Sequence, residues 1–309
     1  MSSSSFISVP SESASTRVAR VGIVAKAGLA AASDHLGRVA SWLTAHGVEV
    51  VFDTETATLV GTGGQGCSRE DLPLQADLIV VMGGDGTLLS MASRIGHSGR
   101  QVPLLGVNFG SLGFLTETRI EELQDTLSAV LDGTAVYDER SMLAAEVRRD
   151  GKVFDTRIVL NDVVFTKAAL SRIIEMSVSV GAGLVTRVKA DGLIVASATG
   201  STAYNLAAGG PIVHPRVDAI VVTPIAPHTL THRPIVIPGS EVVEVVPGTS
   251  APNDIFVTYD GQSGYPLEPG DAVRVRRSER GLRLVKAPAR SYFEVLREKL
   301  KWGERGDRQ

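Results

Sequence analysis

Leu78-Ile79-Val80-Val81-Met82-Gly83-Gly84-Asp85-Gly86-Thr87-Leu88 is the stretch on which the fold turns. The unbroken apolar run reads as a strand buried on both faces, the signature of a parallel sheet. Three glycines then let the backbone turn sharply, and a helical pattern runs from Leu88 to Ile95. Strand, glycine turn and helix together predict an α/β unit whose ligand sits beyond the carboxyl end of the strand. Without Cβ atoms, the turn's backbone N–H groups can approach an anion, and the helix dipole favours phosphate. An acid inside such a nest is unfavourable unless it has work to do. Asp85 is therefore a candidate to accept a proton from an attacking hydroxyl or to hold Mg²⁺. The alternative is a tight turn in which Asp85 merely caps the helix.

The same alternation extends outward. Val18–Ala25, Val48–Phe52, Ala76–Met82 and Leu104–Asn108 read as strands. Ser33 begins a helix through Leu36, Val39, Trp42 and Leu43 that ends near Gly47, and another helix runs from Ile120 to Leu131. After Tyr137 the texture changes to short alternating strands: Leu143–Arg148, Val153–Leu160, Ile173–Val180, Leu193–Ala196 and Val273–Val275. The expected fold is a Rossmann-like α/β domain over residues 17–137 and a mostly antiparallel β domain over 138–288. Residues 289–309 form a terminal helix, with Phe293, Leu296 and Leu300 at helical spacing, that packs back onto the α/β domain.

Composition narrows the function. Among 309 residues, 31 are Lys or Arg and 34 are Asp or Glu, a net charge of −3 that speaks against broad binding of nucleic acid or a membrane surface. No apolar run approaches the ~20 residues of a spanning helix. The first sixteen residues hold eight serines and no early positive charge, which reads as a disordered tail rather than a secretory signal. A single cysteine, Cys67, excludes an internal disulfide and fits a reducing cytoplasm.

Two tempting motifs carry less. Gly61-Thr-Gly63-Gly-Gln-Gly66 matches the dinucleotide fingerprint, but Pro73 and two acids come where a helix should open, so it reads as a loop. His228 and His232 have i, i+4 spacing, yet Pro224, Pro227 and Pro234 break any regular helix, and no resident metal site is expected.

Gly83-Gly84-Asp85-Gly86-Thr87 resembles the signature shared by NAD kinases with diacylglycerol, sphingosine and 6-phosphofructokinases. The downstream sequence is similar to the NAD kinases in particular. It carries Asn108-Phe-Gly-Ser-Leu-Gly-Phe-Leu, Asn161-Asp162, Asp191-Gly192, Thr199-Gly-Ser-Thr-Ala-Tyr204, Gly209-Gly-Pro, Pro227-His-Thr-Leu, Arg233-Pro and Asp260-Gly-Gln262, in that order. The resemblance covers roughly Val21 to Trp302. Two departures stand out. Ser197-Ala198 replaces a frequent Thr-Pro, and Asp162 replaces a frequent Glu.

The resemblance implies transfer of the γ-phosphoryl of ATP, or of polyphosphate, to the 2′-hydroxyl of the adenosine ribose of NAD, giving NADP. It implies a divalent cation such as Mg²⁺ with ATP. Asp85 becomes the base, and Gly84, Gly86 and Thr87 line the phosphates. Asn161 and Asp162 hydrogen-bond NAD. Thr199, Thr202, Ala203, Tyr204, Asn205 and Ala207 grip the adenosine, and Arg172, Lys189 and Gln262 add contacts. Asp191 reaches the site of a neighbouring subunit, so a cytoplasmic homo-oligomer with shared sites is expected. A lipid kinase of the same superfamily and a non-catalytic dinucleotide sensor are the rival readings. Thr199–Tyr204 argues against the first and Asp85 against the second.

Overall fold

The computed structural model describes residues 17–26, 28, 33–61, 66–110, 113–167, 173–229, 231–248, 255–287 and 290–302. The Ser-rich start, most of the Gly61–Gly66 loop and Arg172 lie outside them. The first domain runs β1 (Arg20–Ala25), α1 (Ser33–Ala45), β2 (Glu49–Phe52), α2 (Thr54–Val60), α3 (Leu72–Gln75), β3 (Leu78–Met82), α4 (Asp85–Ser98), β4 (Leu104–Asn108), β5 (Thr118–Arg119), α5 (Leu123–Leu131) and β6 (Tyr137–Arg140). The second runs β7 (Leu143–Arg149), β8 (Lys152–Val159), β9 (Asp162–Lys167), β10 (Ile174–Val180), β11 (Gly183–Ala190), β12 (Gly192–Ser197), α6 (Tyr204–Ala207), β13 (Ala219–Ile225), β14 (Ile235–Pro238), β15 (Val242–Pro247), β16 (Ile255–Tyr259), β17 (Ser263–Pro266) and β18 (Ala272–Arg277). The chain then adds β19 (Leu282–Val285) and α7 (Tyr292–Leu300).

The first sheet has the order β2-β1-β3-β4-β19-β6, and β1 to β4 are parallel. All five residues of β3 are fully buried because helices cover both faces. Leu78, Val80 and Met82 pack with Leu36 and Leu43 of α1 and Leu127 of α5. Ile79 and Val81 pack with Leu88, Met91 and Ile95 of α4. The alternation of strand side chains thus feeds two cores. The expected boundary near Tyr137 falls within β6, and both β6 and β19 belong to this sheet.

The β domain is two antiparallel six-stranded sheets, β11-β10-β15-β18-β7-β8 and β14-β13-β12-β9-β16-β17. Their inner faces share one core, in which Leu143, Ala145 and Val147 alternate along β7 opposite Val163 and Phe165 of β9. Helix α4 leaves its own domain to rest on β8. Ser93 Oγ donates to Ile158 O at 2.8 Å, and a Cβ on Gly96 would lie 3.0 Å from Ile158 Cβ. The helix that begins at the glycine turn is therefore wedged between the domains.

The helix also starts earlier than its apolar pattern indicates. Gly84 is its cap and Asp85 its first residue, with the amides of Thr87 and Leu88 already bonded to Gly84 O. Asp85 does not cap the helix with its side chain, which leaves the carboxylate available elsewhere.

Candidate functional site

Asp85 turns its carboxylate onto the loop that comes after β4. Phe114 N–H donates to Oδ2 at 2.9 Å, while Leu115 N–H, Thr116 N–H and the Thr116 hydroxyl donate to Oδ1 at 3.2, 3.1 and 3.0 Å. Buried Asn108 braces this cradle. Its Oδ1 accepts from Gly110 N–H at 2.6 Å and its amide reaches Thr116 Oγ1 at 3.4 Å. Thr116 thereby uses one donor and one acceptor. Gly113 passes so close that a Cβ there would overlap Asp85 Oδ1 and Thr116 Oγ1, which is why the position carries no side chain.

The facing wall is built on Asp260. At a φ of 50°, the small polar side chain tolerates the left-handed region and folds back on the chain. It accepts from the amides of Leu160, Asn161 and Asp162 at 2.8, 2.8 and 3.0 Å. Asp162 is 4% exposed, and its carboxyl is pushed up to about 7, first by burial and second by the charge of Asp260. Burial also raises Asp260, against the pull of its three amides. Gly200 presses on the Asn161 backbone, where any Cβ would collide. Ser197 locks this junction, donating from Oγ to Leu160 O at 2.6 Å and accepting Gly200 N–H at 3.0 Å. The Thr199–Thr202 turn is thus docked directly on Asn161.

A cavity of about 160 Å³ separates the two walls. Asp85, Phe114, Leu115 and Arg140 line it from the first domain, and Asn161, Thr199, Thr202 and Ala203 from the second. Tyr292, from α7, completes it. Five residues expected from sequence therefore converge here: Asp85, Asn161, Thr199, Thr202 and Ala203. Gly84, Gly86 and Thr87 form the adjoining turn, and Gln262 Nε2 lies 3.9 Å from a Cβ built on Gly86, across from that turn.

The remaining expected residues lie apart from the cavity wall. Asp162 is buried behind Asn161. The Asn205 amide is engaged within the fold by Ser201 O, Pro211 O and the Thr223 hydroxyl, while Tyr204 and Ala207 are exposed. Asp191 pairs with Lys167 at 2.7 Å and Lys189 with Glu175 at 3.3 Å, and neither lines the cavity. His228 donates its backbone N–H to Lys189 O. Arg140 and Tyr292 escaped the sequence reading. A lone arginine on a short strand has no pattern, and Tyr292 belongs to a helix expected only to pack.

The chain matches the ATP-NAD kinase N-terminal domain over residues 21–135 and the ATP-NAD kinase C-terminal domain over 160–287. It is 51% identical to an NAD kinase of Geobacter sulfurreducens over 265 residues, covering 86% of this chain and 92% of the relative. It is 48% identical to an NAD kinase of Geotalea daltonii over 264 residues, covering 85% and 92%. Yeast NADH kinase complexed with NADH shares its fold, with a TM-score of 0.86 at 23% identity over 95% of this chain and 90% of that one. An NAD kinase from Archaeoglobus fulgidus in complex with ATP superposes with a TM-score of 0.72 at 24% identity, covering 90% and 99%.

Proposed function

The chain belongs to the NAD kinase family, and from that premise we propose that it transfers the γ-phosphoryl of ATP to the 2′-hydroxyl of the adenosine ribose of NAD. One observation carries the residue roles: a carboxylate at the mouth of a glycine turn shares a small cavity with the Asn161 and Thr199–Ala203 wall. The ribose hydroxyl approaches Asp85, which orients it and takes its proton. Its oxygen bonds to the γ-phosphorus as the bond to the β-phosphate oxygen breaks, and ADP leaves. Because phosphoryl transfer is mainly positioning and charge stabilisation, the rigid cradle around Asp85 is as useful as its basicity. Asn161 offers both a donor and an acceptor, Thr199 and Thr202 offer hydroxyls, and Ala203 leaves room for a base. Gly84, Gly86 and Thr87 present the N-terminal end of α4 to the donor phosphates.

Mg²⁺ suits this donor set. It needs one or two carboxylates besides phosphates and water, and Asp85 is the carboxylate at the turn. When bound it neutralises charge on the phosphates. Among the described residues no cluster of three or more His, Cys, Asp or Glu side chains exists.

We further assign a homo-oligomer with shared sites. β11 is an edge strand whose Leu184 and Val185 are exposed, and such an edge favours cover by a second copy. Asp191 comes directly after β11, outside its own chain's cavity. The substrates and the single thiol fit the cytoplasm; among the described residues no helix is long and apolar enough to cross a membrane. The test is purified protein with NAD, ATP and Mg²⁺, read as NADP by a coupled dehydrogenase, with polyphosphate replacing ATP in a parallel arm. NADP formation with ATP supports the assignment, and none with either donor overturns it.

A further inference from the structure

Helix α7 touches the site more intimately than a terminal helix that merely packs. Its entry is fixed by a capping box, in which Ser291 Oγ accepts Glu294 N–H and Glu294 accepts Ser291 N–H at 2.7 Å. Just before it, Arg290 donates to Glu117 O at 2.7 Å and to Glu122 at 3.2 Å. Lys299 lies over the Phe114 ring at 5.8 Å, so the helix also bears on the loop that cradles Asp85. On its other side the Tyr292 ring meets His214 of the β domain edge-on, with centroids 4.6 Å apart.

Tyr292 is thereby held in the cavity wall, and its hydroxyl oxygen is buried without a hydrogen-bond partner among the described residues. Thr199 Oγ1, in a residue only 5% exposed, is in the same state and lines the same cavity. Buried polar atoms are normally satisfied, so two orphans on one cavity point to a ligand that supplies the partners. The chemistry around Tyr292 says which kind. Burial holds its phenol above the ordinary range, against the opposing pull of Arg140, so the oxygen carries its proton and can donate. Arg140 is itself 5% exposed and grips Asp138 through Nε and Nη2 at 3.0 and 2.8 Å. That pair does not engage Nη1. A phenolic donor beside a guanidinium is suited to an anionic oxygen.

We propose that Tyr292 is a substrate-binding residue, its hydroxyl donating to a phosphate oxygen of the bound nucleotide with Arg140 alongside, so that the C-terminal helix forms part of the active site. This deepens the kinase assignment and rests on it. Phosphate oxygens arrive on both substrates, and the experiment separates the two sources.

Tyr292→Phe removes one oxygen and keeps the ring. In the full-length protein it should leave the melting temperature unchanged or raised, since an orphan hydroxyl is lost. A hydrogen bond to a charged group sets the expected weakening at about tenfold. A rise in KM for NAD together with weaker calorimetric binding of NADP places the oxygen on the dinucleotide. A rise confined to ATP places it on the donor. Either result supports the proposal. Affinities for NAD, NADP and ATP all within about twofold of wild type, a difference below ~0.5 kcal/mol, overturn it. So does a lowered melting temperature with those affinities unchanged, which marks Tyr292 as structural. Calorimetry needs no turnover, so a wild-type protein that binds NADP but makes none would count against the kinase assignment and leave this result readable.

Discussion

Asp85→Asn separates the loop-anchoring duty seen for this carboxylate from the catalytic duty proposed for it. The asparagine carbonyl can take the place of Oδ1 and keep Leu115 N–H, Thr116 N–H and the Thr116 hydroxyl, but as neutral hydrogen bonds. Its NH₂ then stands where Oδ2 accepted Phe114 N–H, and a donor meets a donor. Exchanging charged for neutral hydrogen bonds and stranding one N–H costs about 2–4 kcal/mol, towards the low end because the site is only partly buried. The apparent melting temperature should fall by several degrees. Turnover should fall by at least ~10²-fold if Asp85 is the proton acceptor proposed above. KM for NAD should stay within about threefold, since Asn161 and the Thr199 turn are untouched. The assays are coupled NADP formation and differential scanning calorimetry on the same preparation. A lowered melting temperature with turnover within about fivefold of wild type would refute the catalytic role and leave Asp85 as a loop anchor.

Gly113→Ala should displace the Asp85 carboxylate without altering its charge. A turnover loss of about 10²-fold is expected, and unchanged kinetics would show that the cradle tolerates the shift. Asn161→Ala should raise KM for NAD more than KM for ATP, and equal effects would move Asn161 out of the dinucleotide wall. For Asp162 the folded protein holds a proton up to about pH 7, whereas the unfolded chain releases it near pH 4. The fold therefore loses stability as pH rises through that window, by up to a few kcal/mol, and the loss persists above it. Asp162→Asn should flatten this slope in calorimetry from pH 4.5 to 8, and a slope equal to wild type would contradict the buried carboxyl's role. Mixing Asp85→Asn with Asp191→Ala protein should restore activity if sites are shared. No rescue despite verified subunit exchange would confine each site to one chain.

The apolar run Leu78–Met82 and the glycines after it made the first sheet legible, because a strand covered on both faces leaves no polar positions. The start of α4 was not. Gly84-Asp85-Gly86 lacks apolar periodicity, and the helix there is held by the turn's own amides, which pattern-reading does not see. α2 was missed although Asp53 caps it and Gly61 ends it in a left-handed conformation, φ 76°. Many strands of the β domain were missed for a different reason. β9 is buried over most of its length and carries no alternation, and β11 is an exposed edge with little apolar contrast. In the site, residues inside local motifs were readable, whereas Arg140 and Tyr292 become neighbours of Asp85 only through long-range packing.

The place of β19 in the first sheet governs the order in which the molecule can be completed. Leu284 pairs with Leu104 on one side, and Leu282 to Val285 pair with Arg140 to Tyr137 on the other. A ribosome delivers β4 and β6 long before the strand that joins them, and the whole β sandwich emerges in between. In a nascent chain carrying only the first domain, the Leu104 end of β4 and the whole of β6 would lack their partner strand. Those pairings form only when residue 285 is available, and the cavity is walled only when residue 292 arrives. A prematurely terminated polypeptide thus retains the glycine turn and Asp85, yet lacks both the strand that completes their sheet and the tyrosine that faces them. Such a fragment contains the signature residues without two of the elements that complete their surroundings in the folded chain.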